Sequence, residues 1–145
     1  MTSEDARTLF AQALARAGER DTLGSIELAE RAIAIEPAYA EALEHVGQLL
    51  VTRRRRYAEG LAYMERAAAA RPDDAGLWYS LGWCCEFAAH ELARRGDGDD
   101  AMDPRALYER AAEAFRRCLD LHPEGKLQGD AEDLLDHVEN ELLSF

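Results

Sequence analysis

Trp78-Tyr79-Ser80-Leu81-Gly82-Trp83-Cys84-Cys85, followed downstream by Ala111-x3-Phe115-x2-Cys118-x4-Pro123, is the stretch that decides the fold. A second copy of the phrase stands upstream: Leu43-x2-Val46-Gly47-x2-Leu50, then Gly60-x3-Met64-x2-Ala67-x4-Pro72. A worn copy, Ser25-x3-Ala29-x2-Ala32-x4-Pro37, precedes both. Self-similarity at about 34 residues is the signature of stacked helical hairpins, none of which buries its apolar face alone.

The intervening sequence divides accordingly. Residues 6–18 have helical periodicity and stop at a glycine, and residues 22–36 form a second helix that Pro37 ends. Ala40–Thr52 comes next, then a turn holding Arg53–Arg56, then Tyr57–Arg71, closed by Pro72. Asp73 and Asp74 suit the start of Ala75–Arg95, since carboxylates cap helix N-termini and complement the dipole there. Pro37 and Pro72 are 35 residues apart, but Pro72 and Pro123 are 51 apart. The excess lies between Phe87 and Tyr108, partly as helix extension (AAHELARR) and partly as the loop Gly96–Asp103. Asp103-Pro104 restarts a helix that runs to about Leu121, with Asp as N-cap and Pro in the first turn. A last helix, roughly Gly129–Leu143, is apolar through Ala131, Leu134, Leu135, Val138 and Leu142 and acidic on its other face. Seven helices and no strand are expected. Gly47 and Gly82 fall in mid-helix, where glycine costs about 1 kcal/mol against alanine, so a close crossing of the partner helix is expected at each.

The phrase resembles the tetratricopeptide repeat over about residues 6–123. Trp78, Leu81, Gly82, Ala111, Phe115 and Pro123 stand where that family puts those types, and Cys85 replaces its tyrosine. The second copy keeps Gly47 and Pro72, with Leu43 for the tryptophan and Gly60 for the small alanine. In the first copy either Leu9 or Phe10 takes the tryptophan slot. The resemblance implies an all-α, right-handed superhelix of three antiparallel hairpins forming a single domain over 1–145. Its repeats would span about 6–39, 40–74 and 75–124, with an insertion near 88–105 and a capping helix at about 127–145. It further implies a non-catalytic interaction module whose first helices line a concave groove for a peptide segment of a partner protein.

On that implication the groove residues are Glu44, Gln48 and Thr52, with Glu41 and Val51 at the margin; Tyr79, Trp83, Glu86 and Phe87; and Phe10 and Leu14 from the first hairpin. Tyr79, Trp83 and Phe87 recur every four residues on one stripe, which reads either as an aromatic platform for a partner side chain or as core under the insertion. Glu44 and Glu86 make the lining negative, suited to a basic partner segment, and no basic residue is among the proposed groove positions, which argues against a clamp for acidic C-termini. Leu9, Phe10 and Leu14 also offer an apolar N-terminal edge through which two copies could pair, so a homodimer or a secretion-type chaperone is the alternative reading.

Composition narrows the function classes. Net charge is −12; residues 1–95 carry 12 basic and 15 acidic side chains, and residues 96–145 carry 5 and 14. Such a body repels phosphates, so neither nucleic acid nor an anionic membrane is an expected partner. No run approaches the roughly 18 apolar residues of a membrane span. MTSEDARTLF lacks the basic and apolar regions of a secretory signal, and a cytoplasmic location is the expectation. One lysine among 17 basic residues, with abundant alanine, points to GC-rich bacterial coding. Cys84, Cys85 and Cys118 make no disulfide framework, and Cys85 and Cys118 fall on core positions. Arg53–Arg56, the only basic run, reads as a solvated turn, the other reading being a site for an acidic patch or phosphate. Asp97-Gly98-Asp99-Asp100…Asp103 fails the calcium-loop pattern at its fifth, sixth and twelfth positions. His45, His90, His122 and His137 show no metal-ligand spacing, and no nucleophile elbow, P-loop or dinucleotide fingerprint occurs. No metal, cofactor or catalytic residue is expected.

Overall fold

The structure is a computed structural model that describes residues 2–95 and 102–145. It holds seven helices in chain order: α1 (Ser3–Gly18), α2 (Thr22–Ile35), α3 (Ala40–Thr52), α4 (Tyr57–Ala70), α5 (Ala75–Arg95), α6 (Pro104–Asp120) and α7 (Lys126–Leu142). No strand occurs among the described residues. The Asp97–Asp103 loop weighed for calcium lies largely outside them.

Local chemistry accounts for the helix ends. Thr2 and Asp5 form a reciprocal capping box on α1, with the Asp5 amide donating to Thr2 Oγ1 and the Thr2 amide to Asp5 Oδ2. Asp21 caps α2 by accepting from the Gly24 amide at 3.0 Å, and Asp103 caps α6 by accepting from Arg105. Asp74 accepts from the Leu77 amide at 3.2 Å at the start of α5. Glu36 and Arg71, each just before a proline, leave the helical region, Glu36 as extended backbone, so α2 and α4 stop there. α7 begins at Lys126, a turn earlier than the apolar pattern suggests, entered through Gly125 at φ 64°.

Each helix packs on its chain neighbour, and α3 also packs on α5 and α5 on α7. The first helices of the hairpins therefore form one layer, which α7 continues, while α2, α4 and α6 form the other. Gly47 and Gly60 allow a close crossing of α3 and α4: a Cβ on either would lie 2.8 Å from the carbonyl oxygen of the other. Gly82 has the same role under an aromatic ring, since its Cβ would stand 2.7 Å from Phe115.

The longer third hairpin is mostly added helix. α5 has 21 residues against 13 in α3, and α6 has 17 against 14 in α4. The added turns bury Ala88, Ala89 and Leu92 with Leu107 and Tyr108. α7 matches the added length, and Phe145 behind it reaches the Tyr108 ring at 5.9 Å.

Candidate functional site

The candidate site is the outer face of the α3–α5–α7 layer. Positions one helical turn apart on α5 place Trp83 and Phe87 side by side, their rings stacked at 5.5 Å and 20°. Trp83 is 38% exposed and stands apart from the core cluster, whereas Phe87 and Tyr79 pack against it. Tyr79 meets the Phe115 ring edge-on at 5.8 Å. The stripe thus divides: Tyr79 and Phe87 are partly buried against the core, and Trp83, stacked on Phe87, is its exposed ring.

Carboxylates flank that surface. Glu86, its side chain only 18% exposed, approaches His137 Nε2 of α7 at 3.5 Å. Glu44 of α3 is half-buried beside Ser80 of α5. Burial raises its carboxyl above the ordinary range; the Ser80 hydroxyl works against this, and the nearby charges of Asp74 and Glu41 add to it. A folded value above the unfolded one means Glu44 contributes stability that is full below about pH 4.5 and lost as pH rises through the folded value. Glu44→Gln should accordingly be more stable than wild type at pH 7, and the advantage should vanish below pH 4.5, as read from urea midpoints across that range.

The remaining positions are less concentrated. Gln48 is exposed, and the Thr52 hydroxyl donates back to the Gln48 carbonyl at 2.7 Å. Glu41 pairs with Arg71, and Val51 is buried. Phe10 turns inward to meet Tyr39 and His45 edge-on at 5.3 and 5.6 Å. That removes it from the apolar edge expected at the N-terminus and leaves Leu14 exposed there. Leu9 lines a cleft with Arg31, Ala34 and Ile35 as Trp78 lines one with Arg117, Asp120 and Leu121, so Leu9 is the geometric counterpart of Trp78.

His137 was missed by sequence reading. His137 follows Pro123 by the same interval that separates Glu86 from Pro72, a signal that was available. Ser25 and His45 also went unpaired there, because they lie on different helices.

Ser25 Oγ and His45 Nε2 are 2.8 Å apart, a nucleophile–base distance. Yet Ser25 is fully buried and its hydroxyl donates to the Ala13 carbonyl at 2.6 Å. His45 Nε2 must then carry the hydrogen and donate to Ser25, so the pair is a relay tying α3 to α2 and α1 and not an activated serine. Cys84 and Cys85 are buried, and burial pushes both thiols up to about 12, leaving them protonated. Among the described residues no group of three or more His, Cys, Asp or Glu is placed to hold a metal ion. No helix among them is long and apolar enough to cross a membrane.

No family model matches the chain, and no curated protein matches its sequence. Solved structures do match. The first tetratricopeptide-repeat domain of Spaghetti (RPAP3), bound to the HSP90 peptide SRMEEVD, superposes with a TM-score of 0.75 at 15% identity, covering 99% of this chain and 97% of that one. The type III secretion chaperone SycD of Yersinia enterocolitica, in complex with a peptide of the translocator YopD, gives 0.73 at 9% identity, covering 97% and 96%. The Arabidopsis OM64 tetratricopeptide-repeat domain gives 0.68 at 16% identity, covering 94% and 96%. This chain therefore has the tetratricopeptide-repeat fold, three helical hairpins closed by a terminal helix.

Proposed function

We propose that the protein is a non-catalytic interaction module that holds a peptide segment of a partner protein on its α3–α5–α7 face. The observation that carries this reading is Trp83. A tryptophan left 38% exposed, stacked on Phe87 and flanked by the partly buried carboxylates Glu44 and Glu86, has the composition of an interface hot spot. Two structures that share the fold hold peptides, an HSP90 peptide in one and a translocator peptide in the other. The ligand class proposed here differs from the first of these. SRMEEVD is acidic, whereas the face of this chain carries Glu44 and Glu86, and none of the positions proposed on it, Glu44, Gln48, Thr52, Tyr79, Trp83, Glu86 and Phe87, is basic. A segment with arginine or lysine fits it, the cation lying on the Trp83 ring or against a carboxylate. No cofactor is required for such binding.

Trp83→Ala should weaken partner binding by about 2 kcal/mol, roughly thirtyfold, while leaving the thermal midpoint nearly unchanged, since the ring lies outside the core cluster. Affinity capture from native lysate, wild type against Trp83→Ala/Glu86→Lys with both confirmed folded, supplies the partner for that titration. A protein retained by wild type and lost by the double variant supports the reading. Identical captures, or a Trp83→Ala protein that melts, would remove it.

A further inference from the structure

Among the described residues the large apolar side chains left most exposed are Leu14, Leu23, Trp83, Leu143 and Phe145. Leu23 stands in the first turn of α2, and Leu143 and Phe145 follow α7. Leu14 and Trp83 lie well inside helices, and they hold the same place in their repeats. Leu9 is the counterpart of Trp78, and the buried small residues Ala13, Gly47 and Gly82 correspond. One residue on from these come Leu14, Gln48 and Trp83, all three exposed. Leu14 is one turn beyond Phe10, whose ring meets Tyr39 and His45 of the next hairpin, so it stands on the side of α1 that turns toward α3. The three side chains form a row across the first helices. The row ends at Trp83: Leu134 follows Pro123 by the interval that separates Trp83 from Pro72, but it packs against the core.

The two ends of this row differ. Glu44 and Glu86 flank Trp83, whereas their counterparts in α1 are Phe10 and Ala17, so Leu14 has no carboxylate at either place. One end is aliphatic with apolar neighbours, and the other is an aromatic ring between carboxylates. Gln48, polar and uncharged, separates them. Two steps between neighbouring first helices, each about 8–10 Å, set the ends about 20 Å apart. An extended chain rises about 3.3 Å per residue and spans this in about six residues, an even number that returns its side chains to the same face. A helix would need about 13 residues and an apolar seam along its whole length, which Glu44 and Gln48 do not offer.

We propose that the partner segment is an extended chain carrying an apolar side chain that rests on Leu14 and, about six residues away, an arginine that lies on Trp83 between Glu44 and Glu86. This rests on the reading of the face as a peptide-binding surface, and adds to it a second anchor and a spacing. Arginine fits the Trp83 end better than lysine, because a planar guanidinium stacks on the ring while its edge donates to a carboxylate.

The test is selection of random linear displayed peptides on wild type, Leu14→Ser and Trp83→Ala, the substituted side chains being exposed ones that folding should tolerate. Wild type should enrich peptides that pair an apolar residue with an arginine about six positions away, in either chain direction. Leu14→Ser should enrich arginine without the apolar residue, and Trp83→Ala should lose the arginine. By fluorescence anisotropy a labelled wild-type-selected peptide should bind Leu14→Ser about tenfold more weakly. Deleting three residues between its two anchors should cost as much. Peptides that bind Leu14→Ser as tightly as wild type, yet fail on Trp83→Ala, would overturn this proposal and leave the peptide-binding reading standing. Anchors enriched only at helical spacing would do the same. No enrichment by wild type, or peptides indifferent to both substitutions, would remove both. A wild-type mass by light scattering that exceeds the monomer and returns to it in Leu14→Ser would also overturn the proposal, by making a second copy of the chain the occupant at Leu14.

Discussion

Phe115→Ala should lower the free energy of unfolding by about 3–5 kcal/mol, the range for removing a buried aromatic. Phe115 is fully buried, lies over Gly82 and takes the edge of Tyr79 at 5.8 Å, so its removal opens a void between α5 and α6 that neither backbone can close. The partner experiment separates packing from helix propensity. Gly82→Ala places a Cβ 2.7 Å from the Phe115 ring, and overpacking of that kind costs about 1–3 kcal/mol, against a helical gain of about 1 kcal/mol. Alone it should be neutral to destabilising; in a Phe115→Leu background, with the ring gone, the same substitution should become stabilising. Denaturant midpoints of the four proteins in that cycle give the answer. A Gly82→Ala effect that ignores residue 115 would mean that the glycine serves something other than this contact.

The second large effect is expected at Ser25. Ser25→Val removes the acceptor for His45 Nε2–H and the donor to the Ala13 carbonyl, and adds bulk at a fully buried position. An orphaned buried donor costs about 1–3 kcal/mol and overpacking about as much again, so a loss of about 2–5 kcal/mol is expected in urea unfolding. Ser25→Ala should lose only the first part. Burial, and then the Arg53 charge, hold His45 below its ordinary value of 6.5. Its contribution to stability is therefore present above about pH 6.5 and lost as pH falls through the lower folded value. His45→Asn should flatten that slope between neutral and mildly acidic pH. Stability of the Asn variant that still falls by the wild-type amount would place the titrating group elsewhere.

Periodicity and punctuation made most of the fold legible. The proline spacing and the glycines made the hairpins legible; the expected close crossing is present at Gly47, whereas at Gly82 the Phe115 ring takes the space of the missing side chain. The reciprocal Gly60 contact was less visible, because it rests on two backbones meeting and not on a side-chain pattern. The stripe Tyr79, Trp83, Phe87 was legible as a stripe, but its spacing could not divide it. A four-residue step slips around a helix of 3.6 residues per turn, so Tyr79 rotates toward Phe115 while Trp83 stays outside. Contacts across hairpins, such as Ser25 with His45 and Glu86 with His137, depend on how units stack, which a single-repeat pattern does not encode.

Because each helix rests mainly on its chain neighbours, most contacts close short loops, which cost little chain entropy and favour rapid folding. Stability in such an array passes from unit to unit and has no single keystone. The long α5–α6 pair is held by α4 before it and α7 after it, so Trp83 stands on helices supported from both sides and keeps its geometry while less supported segments open and close.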